Sequence, residues 1–371
     1  MDVQNLNIAV VGAGYAGAAT ARALINLGAN VTVYEQASAV GEVGAGIGLR
    51  PSSLAQFRKL GILGDVEKVT SPSESFEILT ATGNLIADET WPETDEYSTT
   101  TRFVHRADFI DVLTGVLPHG VVKLGHRLET VVDNGTHATL TFTNGETVTA
   151  DLVIGADGIR SRVRTELFST ADPVFAGEHA YRVIVDNDKT HGIPLDSKLR
   201  MYLGHGTKVY VLPLQHRGQV SYDVTALDAD PTPAPRMTRD DLLATLDGFD
   251  ERLVAIARDL DWDQVNIRAV YDIDPIERWH SDAVVLVGDA AHAMCHHQGQ
   301  GANSAILDSG ALADALAAAA TVPAALAAYQ AKRKPITDEL QRLSRLGWSE
   351  DEVNTVFPGQ KPGEIASTIE A

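Results

Sequence analysis

Three carboxylates in this sequence stand at the end of a short apolar run, two of them beside glycine. Asp289 follows Val284-Val285-Leu286-Val287-Gly288 and precedes Ala290-Ala291-His292. Glu35 follows Val31-Thr32-Val33-Tyr34. Asp157 follows Leu152-Val153-Ile154-Gly155-Ala156 and precedes Gly158. A carboxylate at the end of a buried strand is costly unless it finds a partner. For Asp289 the obvious partners are hydroxyl donors on a bound polyol. The tail Gln298-Gly299-Gln300-Gly301-Ala302-Asn303 then turns into a helix predicted from Ala302, so backbone N–H groups can close on an acceptor at its start. A ribityl chain with a pyrophosphate behind it satisfies both features. A plain strand–helix turn with a capping Asp is the other reading.

The elements that must position these groups are legible around the first glycines. Residues 6–11 form an apolar run suited to a buried parallel strand. Gly12, Gly14 and Gly17 supply G-x-G-x-x-G. Ala18 to Leu27 has helical composition, Gly28 stops it, and Val31 to Tyr34 is the next strand. Glu35 then falls 21 residues after Gly14. This is a complete dinucleotide-binding unit: a tight turn, close approach of backbone to pyrophosphate, and an acid for ribose hydroxyls. Glu rather than a basic residue favours an unphosphorylated ribose. Asp157-Gly158 repeats the strand-to-turn pattern and is followed by Arg160, Arg162 and Arg164. It suits an ordinary turn with a solvated basic face equally well.

The order and spacing of the three motifs resemble the flavin-dependent group A aromatic monooxygenases, the p-hydroxybenzoate hydroxylase and 6-hydroxynicotinate 3-monooxygenase type. The resemblance covers roughly residues 5–345. Gly44-Ala45-Gly46-Ile47, Val104-His105-Arg106-Ala107-Asp108 and Leu128 in Gly-His-Arg-Leu extend it. It implies that NADH or NADPH reduces FAD, that O2 adds at flavin C4a, and that the hydroperoxide passes OH to an electron-rich ring. It also implies that Gly12, Gly14, Ala16, Gly17, Glu35 and Gln36 hold the adenosine half of FAD. Arg106 would meet the flavin or pyrophosphate, Leu128 the adenine, Asp157 the domain anchor or cofactor, and Asp289 the ribityl hydroxyls. Backbone N–H groups of Gly301, Ala302 and Asn303 would face the isoalloxazine carbonyls. Arg50 would reach the pyrophosphate or lie on the surface.

Two departures from the family pattern stand out. Many such sequences read Gly-Asp-Ala-Ala-His-x-Met-x-Pro, whereas here His296 takes the place of Pro and His297 follows. A histidine there can assist deprotonation of a phenol or hydroxy-heterocycle; a loop histidine is the plainer reading. The 6-hydroxynicotinate type has a histidine after Gly-Ala-Gly-Ile, where this chain has Gly48, which puts that substrate in doubt. Tyr210 and Tyr222 are candidates to line the substrate pocket, each with a polar tip on an apolar body. Arg182 would pair with a substrate carboxylate or brace the domain interface.

At 371 residues the chain suits two domains. The expected class is α/β: a Rossmann-like FAD-binding domain with an inserted antiparallel β-sheet substrate domain and C-terminal helices. The FAD-binding part is expected at 1–70, 98–180 and 268–322, and the substrate part at 71–97 and 181–267. A helical segment follows over 323–371. The formal charge of −20 argues against nucleic-acid and anionic-membrane partners. The lone Cys295 excludes a disulfide framework and a Cys-pair redox centre. No metal site is expected, the N-terminus has no leader pattern, and the Ala-rich tract 311–329 reads as a helix pair. The expectation is a cytoplasmic monomer or homodimer that takes O2, NAD(P)H and a small aromatic or N-heteroaromatic substrate. The competing readings are an epoxidase or tailoring oxygenase of a polycyclic natural product, and a flavin dehydrogenase without oxygen insertion.

Overall fold

The computed structural model describes residues 1–39, 44–90 and 101–346. The expectations for 91–97 and 347–371 fall outside these residues.

A five-stranded parallel sheet forms the first layer, in the order Val284–Leu286, Leu152–Gly155, Asn7–Val11, Asn30–Tyr34, Val122–Lys123. Its central strands are apolar along their length and covered by helices and by a three-stranded meander: Ile8 to Val11, Leu152 to Ile154 and Val284 to Leu286 are all buried. Helix Tyr15–Asn26 packs on helix Gly301–Ala318. The first of these starts three residues before the predicted Ala18, with Gly14 as its N-cap. The last glycine of the motif therefore lies inside the helix, where a Cβ on Gly17 would sit 1.9 Å from Gly12 O. Gly12 takes φ +103°, and a Cβ there would meet Ala156 O at 2.4 Å, so the turn tolerates only glycine.

The second layer is a seven-stranded sheet ordered Asn266–Asp272, Val174–Asp186, Gln219–Leu227, Thr207–Leu214, Lys198–Gly204, Ser75–Thr80, Leu85–Thr90. One face packs on helices Arg239–Thr245 and Glu251–Asp259 through Tyr181, Val183, Tyr202, Val209, Val211 and Val224 against Leu242, Leu246, Leu253 and Ile256. Two features depart from expectation. The sheet takes in 174–180 and 266–267 with 268–272, which the boundaries at 180 and 268 divided differently. The sheet is also not wholly antiparallel, since Lys198–Gly204 pairs in parallel with Ser75–Thr80.

The two layers meet through a small sheet of Gly46–Leu49, Arg102–His105 and Thr70–Pro72. Gly46 N donates to Ser221 Oγ at 2.8 Å, tying this sheet to the large one. A three-stranded meander, Leu128–Asp133, Ala138–Phe142 and Thr147–Ala150, flanks the nucleotide side. Helix Val322–Ser344 closes the described chain, with Pro323 in its first turn where no N–H is needed. Among the described residues no helix is long and apolar enough to cross a membrane.

Candidate active site

A cavity of about 950 Å³ opens between the parallel sheet and the large sheet, at the upper end of the range for ligand pockets. Gly12, Gly14, Ala16, Glu35, Gln36, Arg50, Arg106, Leu128, Asp157, Asp289, Gly301 and Ala302 line its nucleotide side. Gly14 has open space where a Cβ would be, so a ligand can reach the backbone there. Glu35 braces the turn, its carboxylate accepting from Ala13 N and Ala37 N, both at 2.8 Å. Gly17 does not reach the cavity; its part is the close packing of the turn on its own helix.

Asp157 uses its carboxylate to cap a helix. It accepts from Arg162 N at 2.6 Å and Val163 N at 3.1 Å, at the start of helix Arg162–Leu167. Asp289 is different. It is open to the cavity, and it accepts no hydrogen bond from the described residues. Desolvation on the cavity wall pushes its carboxyl above the ordinary 3.8.

What holds Asp289 in place was not seen in the sequence. The neighbouring Gly288 takes φ +58°, and a Cβ there would lie 2.7 Å from Ala16 Cβ, so the two glycine motifs touch. Gly288 N donates to Asp308 Oδ2 at 2.9 Å. The fully buried Asp308 also accepts from His292 Nε2 at 2.6 Å and from Arg333 Nε at 2.8 Å. Burial alone would raise the Asp308 carboxyl; His292 and Arg333 overcome it and hold the value at about 2. The helix start beside Asp289 is also fixed. Ser304 N→Gln300 O is the first bond of the turn, so the N–H groups of Gly301, Ala302 and Asn303 precede the helical ladder. The Asn303 side chain is not available to a ligand. Its amide is saturated by Arg50 N, Ser53 Oγ, Gly48 O and Gly299 O, which leaves its backbone N–H.

The opposite wall is the large sheet. Arg182, Asp223 and Tyr210 lie in register across three strands and all line the cavity. Arg182 Nε donates to Asp223 Oδ2 at 2.6 Å. The Tyr210 hydroxyl is buried without a protein partner among the described residues, and desolvation keeps it protonated at neutral pH. His296 closes on this row, its ring centroid 6.2 Å from that of Tyr210 and its Nε2 2.9 Å from Thr225 Oγ1. Desolvation lowers the His296 pKa well below 6.5, with Arg182, His297 and Lys208 adding to the effect. The His297 ring lies tilted against that of His296, centroids 4.6 Å apart, and places Nε2 2.7 Å from Glu178 Oε2. The other oxygen of Glu178 accepts from Lys208 Nζ at 2.7 Å.

Tyr222 is a correction. It is buried in the core between sheet and helices, donates to Leu253 O at 3.0 Å and does not reach the cavity. Strand alternation carries the signal: Ser221, Asp223 and Thr225 share the polar face, so Val220, Tyr222 and Val224 face the core. The same alternation would have found Asp223 and Thr225. Glu178, Lys208 and Asp308 come from separate segments and carry no local mark. Among the described residues no group of three potential ligands could hold a metal.

The sequence matches the family model described as FAD binding domain over residues 5–344. It is 30% identical to 6-hydroxynicotinate 3-monooxygenase of Pseudomonas fluorescens, over 92% of this chain and 91% of that one. It is 31% identical to salicylate hydroxylase of Pseudomonas putida, over 91% and 84%. It is 31% identical to 3-amino-4-hydroxybenzoate 2-monooxygenase PtmB3 of Streptomyces platensis, over 91% and 86%. A solved salicylate hydroxylase substrate complex superposes with TM-score 0.77 at 25% identity, covering 98% of this chain and 92% of that one. Klebsiella pneumoniae HpxO complexed with FAD and uric acid shares the fold at TM-score 0.85 and 23% identity, with coverage of 98% and 92%. With the glycine turn, the open Asp289 and the helix start all on one cavity, this chain belongs to the FAD-binding family of group A aromatic hydroxylases and is an FAD-dependent monooxygenase.

Proposed function

We propose that the enzyme hydroxylates a small aromatic or N-heteroaromatic ring that already bears a hydroxyl group, using NAD(P)H and O2. The observation that carries this reading is the polar row on the sheet wall. Tyr210 offers an unpaired hydroxyl and His296 an imidazole beside it, both on the cavity wall. In this reading Gly12, Gly14 and Ala16 receive the dinucleotide backbone, Glu35 the adenosine ribose, and Asp289 the ribityl hydroxyls. The helix start at Gly301 to Asn303 faces the flavin ring. Bound FAD supplies the oxygen activation. The chain binds and orients the ring against it, keeps water out and governs the proton on the ring hydroxyl. The cytoplasm, where NAD(P)H is made and a free Cys295 stays reduced, suits this reaction.

The test is a panel of hydroxylated benzoates, pyridines and quinolines scored for ligand-stimulated NAD(P)H oxidation, with product masses. One or more panel members should accelerate oxidation and gain one oxygen. Stimulation only by polycyclic or non-hydroxylated compounds would move the substrate elsewhere.

A further inference from the structure

The hydrogen-bond pattern around His296 determines which of its nitrogens faces a substrate. Thr225 Oγ1 has one proton and two neighbours, Asp223 Oδ1 at 3.3 Å and His296 Nε2 at 2.9 Å. Asp223 is paired with Arg182 at 2.6 Å, and a carboxylate can only accept. Two oxygens facing one another with no proton between them would repel, so the Thr225 proton points at Asp223. Thr225 Oγ1 must then accept from His296, and Nε2 carries the ring proton. A neutral imidazole protonated at Nε2 has its lone pair at Nδ1. Nδ1 has no protein partner among the described residues, and His296 lines the cavity.

The surroundings keep the ring neutral. From strand Val174–Asp186 come Arg182 and Glu178, from Thr207–Leu214 Lys208 and Tyr210, from Gln219–Leu227 Asp223, and from its own loop His297. The two carboxylates are already paired, Asp223 with Arg182 and Glu178 with Lys208 and His297. Neither is left to stabilise a charged His296, and burial opposes the charge as well.

We propose that Thr225 is a positioning residue that fixes His296 as a neutral hydrogen-bond acceptor, presenting the Nδ1 lone pair to the hydroxyl of the ring substrate. This rests on the hydroxylase reading above and narrows it. The substrate must carry a proton donor, a ring O–H or the N–H of a pyridone, where His296 can reach it. The hydrogen bond pulls density from O–H into the ring while the proton stays on the substrate. O-methylated analogues fill the same space without a donor and so lose hydroxylation rather than binding alone.

The experiment uses the FAD-loaded enzyme. Nitrogen-15 NMR of histidine-labelled parent protein should show one buried histidine as the Nε2–H tautomer from pH 6 to 9, assigned by its loss in His296→Gln. Thr225→Val should shift that signal toward mixed tautomers. It should also lower kcat for a hydroxylated substrate about tenfold, the order of one buried hydrogen bond, while KM and FAD occupancy change little. Thr225→Ser should restore the tautomer and return kcat to within about twofold. An Nδ1–H tautomer in the parent, protonation of His296 within that pH range, or full coupling in Thr225→Val would each overturn the proposal. The NMR readout needs no turnover. If no panel compound is hydroxylated by the parent, the hydroxylase reading falls while the tautomer assignment is still decided.

Discussion

Position 296 shows how much one residue can change a loop. A proline there could offer only a carbonyl, whereas His296 brings a ring nitrogen into the cavity wall. Because its basicity is depressed, replacing it with Ala should cost coupled hydroxylation less than the about 10²–10⁴ of a full general base. Product formed per NAD(P)H should fall with a profile parallel to the parent across pH 6–9. A steep pH dependence of the loss would mean that His296 takes the proton outright. Asp289→Ala should weaken FAD retention by roughly 1–3 kcal/mol, read by flavin titration, because the proposed function gives this carboxylate the ribityl hydroxyls as partners. Unchanged affinity would remove Asp289 from the flavin site. Glu178 gives a stability prediction with a definite sign. Burial favours its protonated form, but His297 and Lys208 win and hold it at about 2, below the ordinary 4.5. Its ion pairs thus stabilise the fold above about pH 4.5 and are lost as the pH falls toward 2. The gap in urea midpoint between parent and Glu178→Gln should close across that window; a constant gap would contradict it. Places on the cavity wall were legible where a motif repeats a known geometry, as at Gly12, Glu35 and Asp289. They were not legible where a contact comes from a distant segment, as Thr225 does for His296 and Glu178 for His297.

Elements were easier to read than contacts. The apolar runs at 7–11, 30–34, 152–155 and 284–286 announce buried parallel strands, and glycines mark their exits. Edges misled where pairing is non-local: 174–180 and 268–272 join the large sheet because the long strand Val174–Asp186 bridges both neighbours, and no local period says so. The helices at the C-terminal end were expected, but not that Arg333 of one grips Asp308 of the other beneath the Gly288 turn. Asp308→Asn should leave Arg333 buried without its counter-charge and cost about 3–5 kcal/mol in a denaturant melt. Because the same side chain holds Gly288 N, flavin affinity should fall as well. A variant with parent stability and parent affinity would reduce the cluster to inert packing.

At the scale of the molecule, the cavity belongs to neither layer alone: one wall is nucleotide fold, the other the large sheet. A reaction at such a junction should place both substrates against one another with water excluded. With labelled O2 and a hydroxylated substrate, one labelled atom should enter the product. A product oxidised without label would return the enzyme to the dehydrogenase class. The parallel pairing of Ser75–Thr80 with Lys198–Gly204 has a consequence for how the chain comes into being. The hairpin of Ser75–Thr80 and Leu85–Thr90 leaves the ribosome more than a hundred residues before its neighbour. At ordinary elongation rates that interval is on the order of ten seconds. Throughout it the inner side of Ser75–Thr80 presents an unclaimed row of amides and carbonyls to every other nascent chain. Synthesis of this enzyme is therefore a race between the arrival of Lys198 and capture by a stranger.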